Sequence, residues 1–173
     1  MTVKATLPNL EQYRSSVFQC LQCGLCREYV RFSDNAIKVC AAREATAGFE
    51  AYCGRGKMSL LRSLLEGRLS LNEQLAEIFY TCPTCRNCWE KCLCSNMPPR
   101  IGIDHVAIYE ALRADLYEAG YGRKEHKRFI ESIEKEHNPY LELHEKRVDW
   151  LPSPHPPAKA ELLYFVGCTS AYR

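Results

Sequence analysis

Four cysteines stand within eleven residues in the middle of the chain, in the stretch Cys82-Pro-Thr-Cys85-Arg-Asn-Cys88-Trp-Glu-Lys-Cys92. Their spacing is C-x2-C-x2-C-x3-C. Three thiols spaced in this way can ligate one iron–sulfur cluster, and in two-cluster ferredoxins the fourth thiol of such a run ligates the other cluster. The run therefore predicts a second cysteine triplet elsewhere in the chain.

The second triplet is Cys20-Leu-Gln-Cys23-Gly-Leu-Cys26, which repeats the C-x2-C-x2-C spacing. A fourth cysteine at the matching position is missing, because Val30 stands there. We interpret Cys40 as the displaced fourth ligand after an insertion, with Cys53 as the competing candidate. The sequence leaves this choice open.

Two [4Fe-4S] clusters use eight thiols, and the ferredoxin pattern assigns them crosswise. The predicted ligand sets are Cys20, Cys23, Cys26 with Cys92, and Cys82, Cys85, Cys88 with Cys40. Cys94 is either a small buried apolar side chain or a substitute fourth ligand. A structural zinc site made from the first two cysteines of each triplet is the alternative. It would leave the third cysteine of each triplet without a role.

Composition narrows the class of protein further. The 173 residues include 23 basic and 21 acidic side chains, a net charge of +2 that favours neither a nucleic-acid partner nor an acidic substrate. An odd count of 11 cysteines without an apolar signal sequence after Met1 predicts reduced thiols in the cytoplasm rather than disulfides. No apolar run reaches the roughly 20 residues of a membrane span, so we expect no direct membrane insertion.

Helices are predicted to deliver both triplets. A helix over residues 8–20, capped by Asn9, leads into the first triplet. A second helix over 57–66 ends at Gly67, and a third begins in a capping-box pattern at Ser70 and runs into Cys82. The two triplets are therefore expected to lie back to back, joined by a helical hairpin.

The C-terminal third is predicted to be less regular. Helices are expected over 104–119, ended by Gly120, and over 124–137, followed by a proline-rich linker over 138–159. The apolar run from Ala160 to Cys168 predicts a buried strand, which would have to pair with strands that the chain does not contain.

Basic residues and histidines outside the cysteine runs are not assigned a role in binding or catalysis. Arg55-Gly56-Lys57 could bind an anion, but a solvated loop is the favoured interpretation. The histidines share no metal-ligand spacing and are assigned to the surface or to packing: His105, His126, His137, His144 and His155. No nucleophile–base pair or phosphate loop stands out.

The motifs taken in order resemble a known family of iron–sulfur subunits. They are the two triplets, Gly54-Arg55-Gly56-Lys57 before a leucine-rich helix, Asn138-Pro139, Arg147-Val-Asp-Trp150 and Tyr164-Phe-Val-Gly-Cys168. The family includes the D subunit of heterodisulfide reductase and the glycolate oxidase iron–sulfur subunit. The resemblance covers nearly the whole chain. Departures are Val30 at the usual fourth cysteine, Ala41 after Cys40, and Leu93-Cys94 after Cys92.

The resemblance implies a mainly α fold with three parts. Residues 1–137 would form an all-helical ferredoxin-like domain with two [4Fe-4S] clusters, and 138–159 a linker. Residues 160–173 would be the first strand of a truncated CCG (cysteine-rich) domain, with Cys168 as its first thiol.

The implied function is single-electron relay within an anaerobic oxidoreductase complex. The clusters would connect a flavin-containing or other redox partner subunit with a CCG domain, and catalysis would belong to the partner subunits or to that domain. The alternative is a non-enzymatic helical adaptor stabilised by zinc or by one cluster.

Overall fold

The computed structural model describes residues 6–30, 36–96, 102–152, 159 and 161–173, and it is mainly helical, as predicted. The α-helices in these ranges are α1 (Pro8–Glu11), α2 (Arg14–Phe18), α3 (Ala41–Ala45), α4 (Gly54–Leu65), α5 (Glu73–Tyr80), α6 (Asn87–Glu90), α7 (Leu93–Asn96), α8 (His105–Leu116), α9 (Lys124–Glu136) and α10 (Cys168–Tyr172). Short 3₁₀ turns lie at Glu50–Tyr52 and His144–Val148, and a π-helical turn at Tyr117–Tyr121.

The expectation of an all-helical domain is wrong between the first triplet and Cys40. Strands β1 (Glu28–Val30) and β2 (Ala36–Lys38) pair antiparallel there, with Glu28 opposite Lys38. The amide of Val39 extends the ladder by donating to the Arg27 carbonyl at 2.9 Å. The insertion predicted from the missing fourth cysteine thus folds back on itself, and Cys26 and Cys40 flank the open end of the hairpin.

The chain divides into two compact units, Met1–Gly122 and Arg123–Arg173. The predicted boundaries after residues 137 and 159 stay predictions. The core of the first unit is built from α1, α2, α4, α5 and α8. Its fully buried side chains include Leu10, Val17, Met58, Leu61, Phe79, Ile108 and Leu112. Burial of each such side chain stabilises the fold by about 1.5 to 3 kcal/mol.

The predicted helix over 8–20 is interrupted, because α1 ends at Glu11 and α2 begins at Arg14. Asn9 does not cap it, which corrects the sequence-based prediction. Instead the buried Asp115 carboxylate of α8 accepts hydrogen bonds from the amides of Asn9 (3.0 Å) and Leu10 (2.9 Å) and from Asn9 Nδ2 (2.9 Å). A carboxylate distant in sequence therefore satisfies the free amides at the start of α1.

The other helix ends mostly follow the predicted residues. Gly67 follows α4 with a φ of +73°, as expected for a glycine that ends a helix. The predicted capping box at Ser70 is wrong, since α5 is capped by Asn72, whose side chain accepts from the Leu75 amide at 2.8 Å. Gly120 lies in the π-helical turn after α8 with a φ of +87°.

The second unit contains α9, the 3₁₀ turn His144–Val148 and α10. The part of the predicted linker that the structure describes is ordered around the buried Asn138, whose side chain donates to the carbonyls of Glu136 and Glu142. Residues 153–158 of that linker lie outside the described residues. Among the helices of the described ranges, none has the length and apolar character needed to cross a membrane.

The predicted strand from Ala160 to Cys168 is wrong over the described residues 161–167, which are irregular. Helix α10 begins at Cys168, where the strand was expected to end. Four consecutive apolar side chains, Leu162, Leu163, Tyr164 and Phe165, are 75 to 96% exposed. A strand needs a neighbouring strand for its backbone hydrogen bonds, and none of the described segments provides one.

Candidate cluster sites

The first triplet lines one side of a cavity that also receives thiols from further along the chain. The cavity is lined by Cys20, Cys23, Cys26, Cys92 and Cys94, together with Gly24, Arg55 and His105. Arg62 of α4 holds the entry to the triplet, because its guanidinium donates to the carbonyls of Phe18 (2.8 Å) and Cys20 (2.6 Å). The end of α2 is thereby tied to α4.

A second cavity is formed around the other triplet. It is lined by Cys40, Cys82, Cys85 and Cys88, together with residues that include Tyr52, Gly54, Lys57 and Tyr109. Arg113 of α8 makes the same kind of contact at the start of the second triplet as Arg62 makes at the start of the first. Its guanidinium donates to the carbonyls of Phe79 (2.7 Å) and Cys82, at the end of α5.

The two triplets share an unusual backbone conformation. In the first, Gln22 (φ +56°) and Gly24 (φ +86°) are left-handed. In the second, Thr84 (φ +51°) and Arg86 (φ +67°) are left-handed at the same two positions relative to the first cysteine. Each non-glycine residue in this region costs about 1 kcal/mol or more. The repetition of this costly conformation indicates that both loops are shaped for the same kind of ligand.

The structure brings together each set of four thiols that the sequence predicted. Cys92 lies with the first triplet and Cys40 with the second. Cys94 also lines the first cavity. Cys53 lines neither cavity, is fully buried, and donates its thiol to Glu50 Oε1 at 3.3 Å. That these sets hold clusters stays a prediction.

The thiols of the alternative zinc site do not meet. Cys20 and Cys23 line the first cavity, whereas Cys82 and Cys85 line the second. Within the described ranges, no three histidine, cysteine or acidic side chains converge as ligands of a single metal ion do. A mixed site with two cysteines from each triplet is therefore not formed.

Burial affects the protonation of two thiols, one in each cavity. Burial, together with negative charge on Cys82 and Cys85, raises the pKa of Cys88 to about 12. Burial likewise raises the pKa of Cys26 well above its ordinary value, with charge on Cys53 and Cys88 as further causes. Such thiols stay protonated at neutral pH unless a metal displaces the proton. The thiol donor set fits iron, and binding of a metal would release these protons.

The two cavities approach each other at Gly54, the first residue of α4. A Cβ atom at this position would lie 2.9 Å from both Cβ and Sγ of Cys26, and 3.2 Å from Cβ of Cys88. Cys26 belongs to the first cavity and Cys88 to the second. The absence of a side chain at Gly54 therefore allows one cysteine of each set to pack against the same backbone.

The prediction of a solvated loop at residues 55–57 is wrong. These residues form the first turn of α4, and Lys57 is only 1% exposed because its side chain extends into the second cavity. Gly56 allows this turn to pack on the 3₁₀ turn before it, since a Cβ there would lie 1.9 Å from the Glu50 carbonyl oxygen. The position of Lys57 four residues before the buried Leu61, on one helical face, was the available signal.

His105 is a second residue whose location the sequence did not indicate. It is 1% exposed and lines the first cavity, and its Nδ1 atom has no hydrogen-bond partner among the described residues. Burial lowers its pKa to about 4, so the imidazole is neutral at pH 7. The sequence assigned His105 to the surface or to packing. Its burial agrees with packing, but its place beside a thiol-lined cavity was not predicted.

A mainly helical chain with two separate cavities, each lined by at least four thiols, defines a candidate cluster-binding protein. Three relatives from species of Methanosarcina are each the D subunit of a dihydromethanophenazine:CoB–CoM heterodisulfide reductase. The protein of Methanosarcina barkeri is 26% identical over 171 residues, which is 88% of this chain and 37% of that protein. Those of Methanosarcina mazei and Methanosarcina acetivorans are 32% and 33% identical over 102 and 103 residues, or 58% of this chain.

The chain spans 23 to 37% of the length of these curated relatives. No family model matches the chain. No solved structure matches it either.

Proposed function

We propose that the chain is an electron-transfer module that holds two [4Fe-4S] clusters. Cys20, Cys23, Cys26 and Cys92 would hold the first cluster, and Cys40, Cys82, Cys85 and Cys88 the second. The observation that carries this proposal is the pair of thiol-lined cavities in which two triplets repeat the same left-handed turns. When bound, such clusters accept and release one electron at a time.

The protein's own residues would control how electrons reach each cluster and how far apart the two clusters lie. The first and third cysteines of each triplet are buried or partly buried, whereas the middle ones, Cys23 and Cys85, are exposed. Each site would therefore have one exposed thiol through which an electron can enter or leave. At Gly54 one cysteine of each site packs against the same backbone, which suits direct transfer between them.

The proposed setting is a multi-subunit oxidoreductase. The relatives are named as subunits of a heterodisulfide reductase, so a redox role beside partner subunits is supported. We propose that a flavin-containing or other redox subunit exchanges electrons with the chain, and that catalysis takes place in partner subunits or in a CCG domain that residues 160–173 would begin. The cytoplasm is the proposed location.

Metal analysis of anaerobically purified and reconstituted protein tests the proposal. About eight iron atoms per chain, with as much acid-labile sulfide, are expected for two clusters. About one zinc ion without sulfide would refute the proposal and support the metal-stabilised adaptor instead.

A matched pair of variants tests the ligand set. Cys40→Ser should lose about half of the iron, because Cys40 lines the second cavity. Cys53→Ser should keep both clusters, because the Cys53 thiol is bound to Glu50 and lines neither cavity. If Cys53→Ser loses iron while Cys40→Ser keeps it, Cys53 is the fourth ligand.

A further inference from the structure

The two cavities differ in their fixed charge, although both contain an arginine. Arg55 lines the first cavity and is ion-paired with Glu50. Arg86 lines the second cavity and is ion-paired with Asp104, with 3.6 Å between Nη2 and Oδ2. Both guanidinium groups are partly exposed. Since each is offset by a carboxylate and screened by water, they do not distinguish the two sites.

Lys57 does distinguish them. Its side chain lines the second cavity, is 1% exposed, and donates from Nζ to the carbonyl oxygen of Tyr52. No carboxylate forms an ion pair with it in the described part of the chain. The Cys40 thiol donates to the same carbonyl oxygen at 3.4 Å. Because Nζ and Sγ are bound to one oxygen, they are at most about 6 Å apart.

The buried basic residue at the first cavity, His105, is neutral. His105 lines that cavity and is as deeply buried as Lys57. Its Nδ1 atom has no hydrogen-bond partner among the described residues, as expected for a neutral imidazole rather than for a cation. The first site therefore contains no buried counterpart to the ammonium group of Lys57 among the residues that the structure describes.

We propose that Lys57 is a positioning residue for charge, which makes the second cluster the more easily reduced of the two and directs electrons from the first site to the second. This inference rests on the proposed function, in which each cavity holds a [4Fe-4S] cluster. In the transfer, the first cluster is oxidised by one electron and the second is reduced by the same electron. The added negative charge at the second site is stabilised by the ammonium group of Lys57, which is shielded from water. Burial lowers the pKa of this group, whereas negative charge on the neighbouring thiols raises it.

The expected size follows from Coulomb's law. With an effective dielectric constant of about 20, a unit charge at about 6 to 10 Å changes the ratio of reduced to oxidised cluster by more than tenfold. A tenfold change for a one-electron couple corresponds to about 59 mV. Removal of the charge from Lys57 should therefore lower the reduction potential of the second cluster by at least this amount.

The test is a redox titration followed by electron paramagnetic resonance on the reconstituted full chain. Lys57→Gln removes the charge but keeps a donor for the Tyr52 carbonyl, and Lys57→Met removes both. Lys57→Arg keeps a cation and should leave the reduction potential of the second cluster close to that of the unchanged chain. Lys38→Met is the matched control, because it removes the same charge near Cys40 from a side chain that is 64% exposed and paired with Glu44.

The potentials are assigned with Cys85→Ser, which should remove the signal of the second cluster. Lys57→Gln is expected to lower the reduction potential of the second cluster by at least the roughly 59 mV of a tenfold change, and to lower that of the first cluster by less. The inference is overturned if neither neutral variant lowers the reduction potential of the second cluster. It is also overturned if the potential of the first cluster falls by more, or if Lys38→Met has an equal effect. Iron and sulfide are counted first. A wild-type chain without two clusters refutes the proposed function, whereas two clusters with unchanged potentials refute only the role of Lys57.

Discussion

Gly54 is the position at which a single methyl group should disturb both sites at once. It begins α4 between Cys26 and Cys88, and the Gly54→Ala side chain would lie 2.9 Å from Sγ and Cβ of Cys26. Ordinary contacts of a Cβ atom begin at about 3.4 Å. Cys26 would therefore have to move by about half an ångström, and Cys88 by less. Both are proposed ligands, so their movement should distort both clusters.

The expected loss of stability is modest. Overpacking by a methyl group typically costs about 1 to 3 kcal/mol. Alanine favours a helix over glycine by about 1 kcal/mol, and by less in the first turn. A net loss of about 1 to 2 kcal/mol remains. With an m-value of about 2 kcal/mol per molar urea, the unfolding midpoint should fall by about 0.5 to 1 M.

The assay is urea unfolding of the anaerobically reconstituted chain, followed by circular dichroism, with iron counted before unfolding. Gly56→Ala should be more damaging, because its methyl group would lie 1.9 Å from a backbone oxygen that cannot move alone. Gly167→Ala is the control, since nothing lies within 4 Å of a Cβ atom there and its φ of −71° suits any residue. The expected order of loss is Gly56, then Gly54, then Gly167.

The reasoning is refuted if Gly54→Ala has the urea midpoint and the iron content of the unchanged chain. It is refuted equally if Gly167→Ala loses as much stability as Gly54→Ala. In the first case Cys26 and Cys88 would not be held against the backbone of α4. In the second the loss would come from replacing glycine in general rather than from the contact between the two sites.

Three further predictions concern the scaffold and the remaining thiol. Asp115→Asn should cost about 2 to 4 kcal/mol in urea unfolding, because three donors on Asn9 and Leu10 lose a charged acceptor; a loss below about 0.5 kcal/mol would contradict this. Asn72→Ala should cost about 1 kcal/mol through loss of the α5 cap, whereas Asn72→Asp should keep it. Cys94→Ala should retain both clusters while Cys92→Ala loses the first; the opposite result would make Cys94 the ligand.

Local sequence signals predicted the parts of the site that depend on neighbouring residues. The spacing of each triplet, the helix that leads into Cys82, and the end of α4 at Gly67 all follow from interactions a few residues apart. The predicted cap at Asn9 failed for the opposite reason. The amides at the start of α1 are bound by Asp115, more than 100 residues later, and no local pattern reveals such a partner.

The apolar run at residues 160–168 shows the limit of composition. Its residues have high strand propensity, but the structure leaves 161–167 irregular and strongly exposed. Strand propensity describes how well a side chain fits a sheet that already exists. Without a neighbouring strand among the described residues, the preference has nothing on which to act.

The sequence by itself determined the spacing of the thiols: two C-x2-C-x2-C triplets, each preceded by a predicted helix, of which only the second is followed by a fourth cysteine at ferredoxin spacing. Only the tertiary structure decided how the sets are completed. Cys92, between α6 and α7, lines the cavity of the first triplet, and Cys40, after the β1–β2 hairpin, lines that of the second. The structure also buried Lys57 beside one set and a neutral His105 beside the other. Spacing along the chain specifies which atoms can ligate, whereas burial and charge depend on residues that only packing brings together.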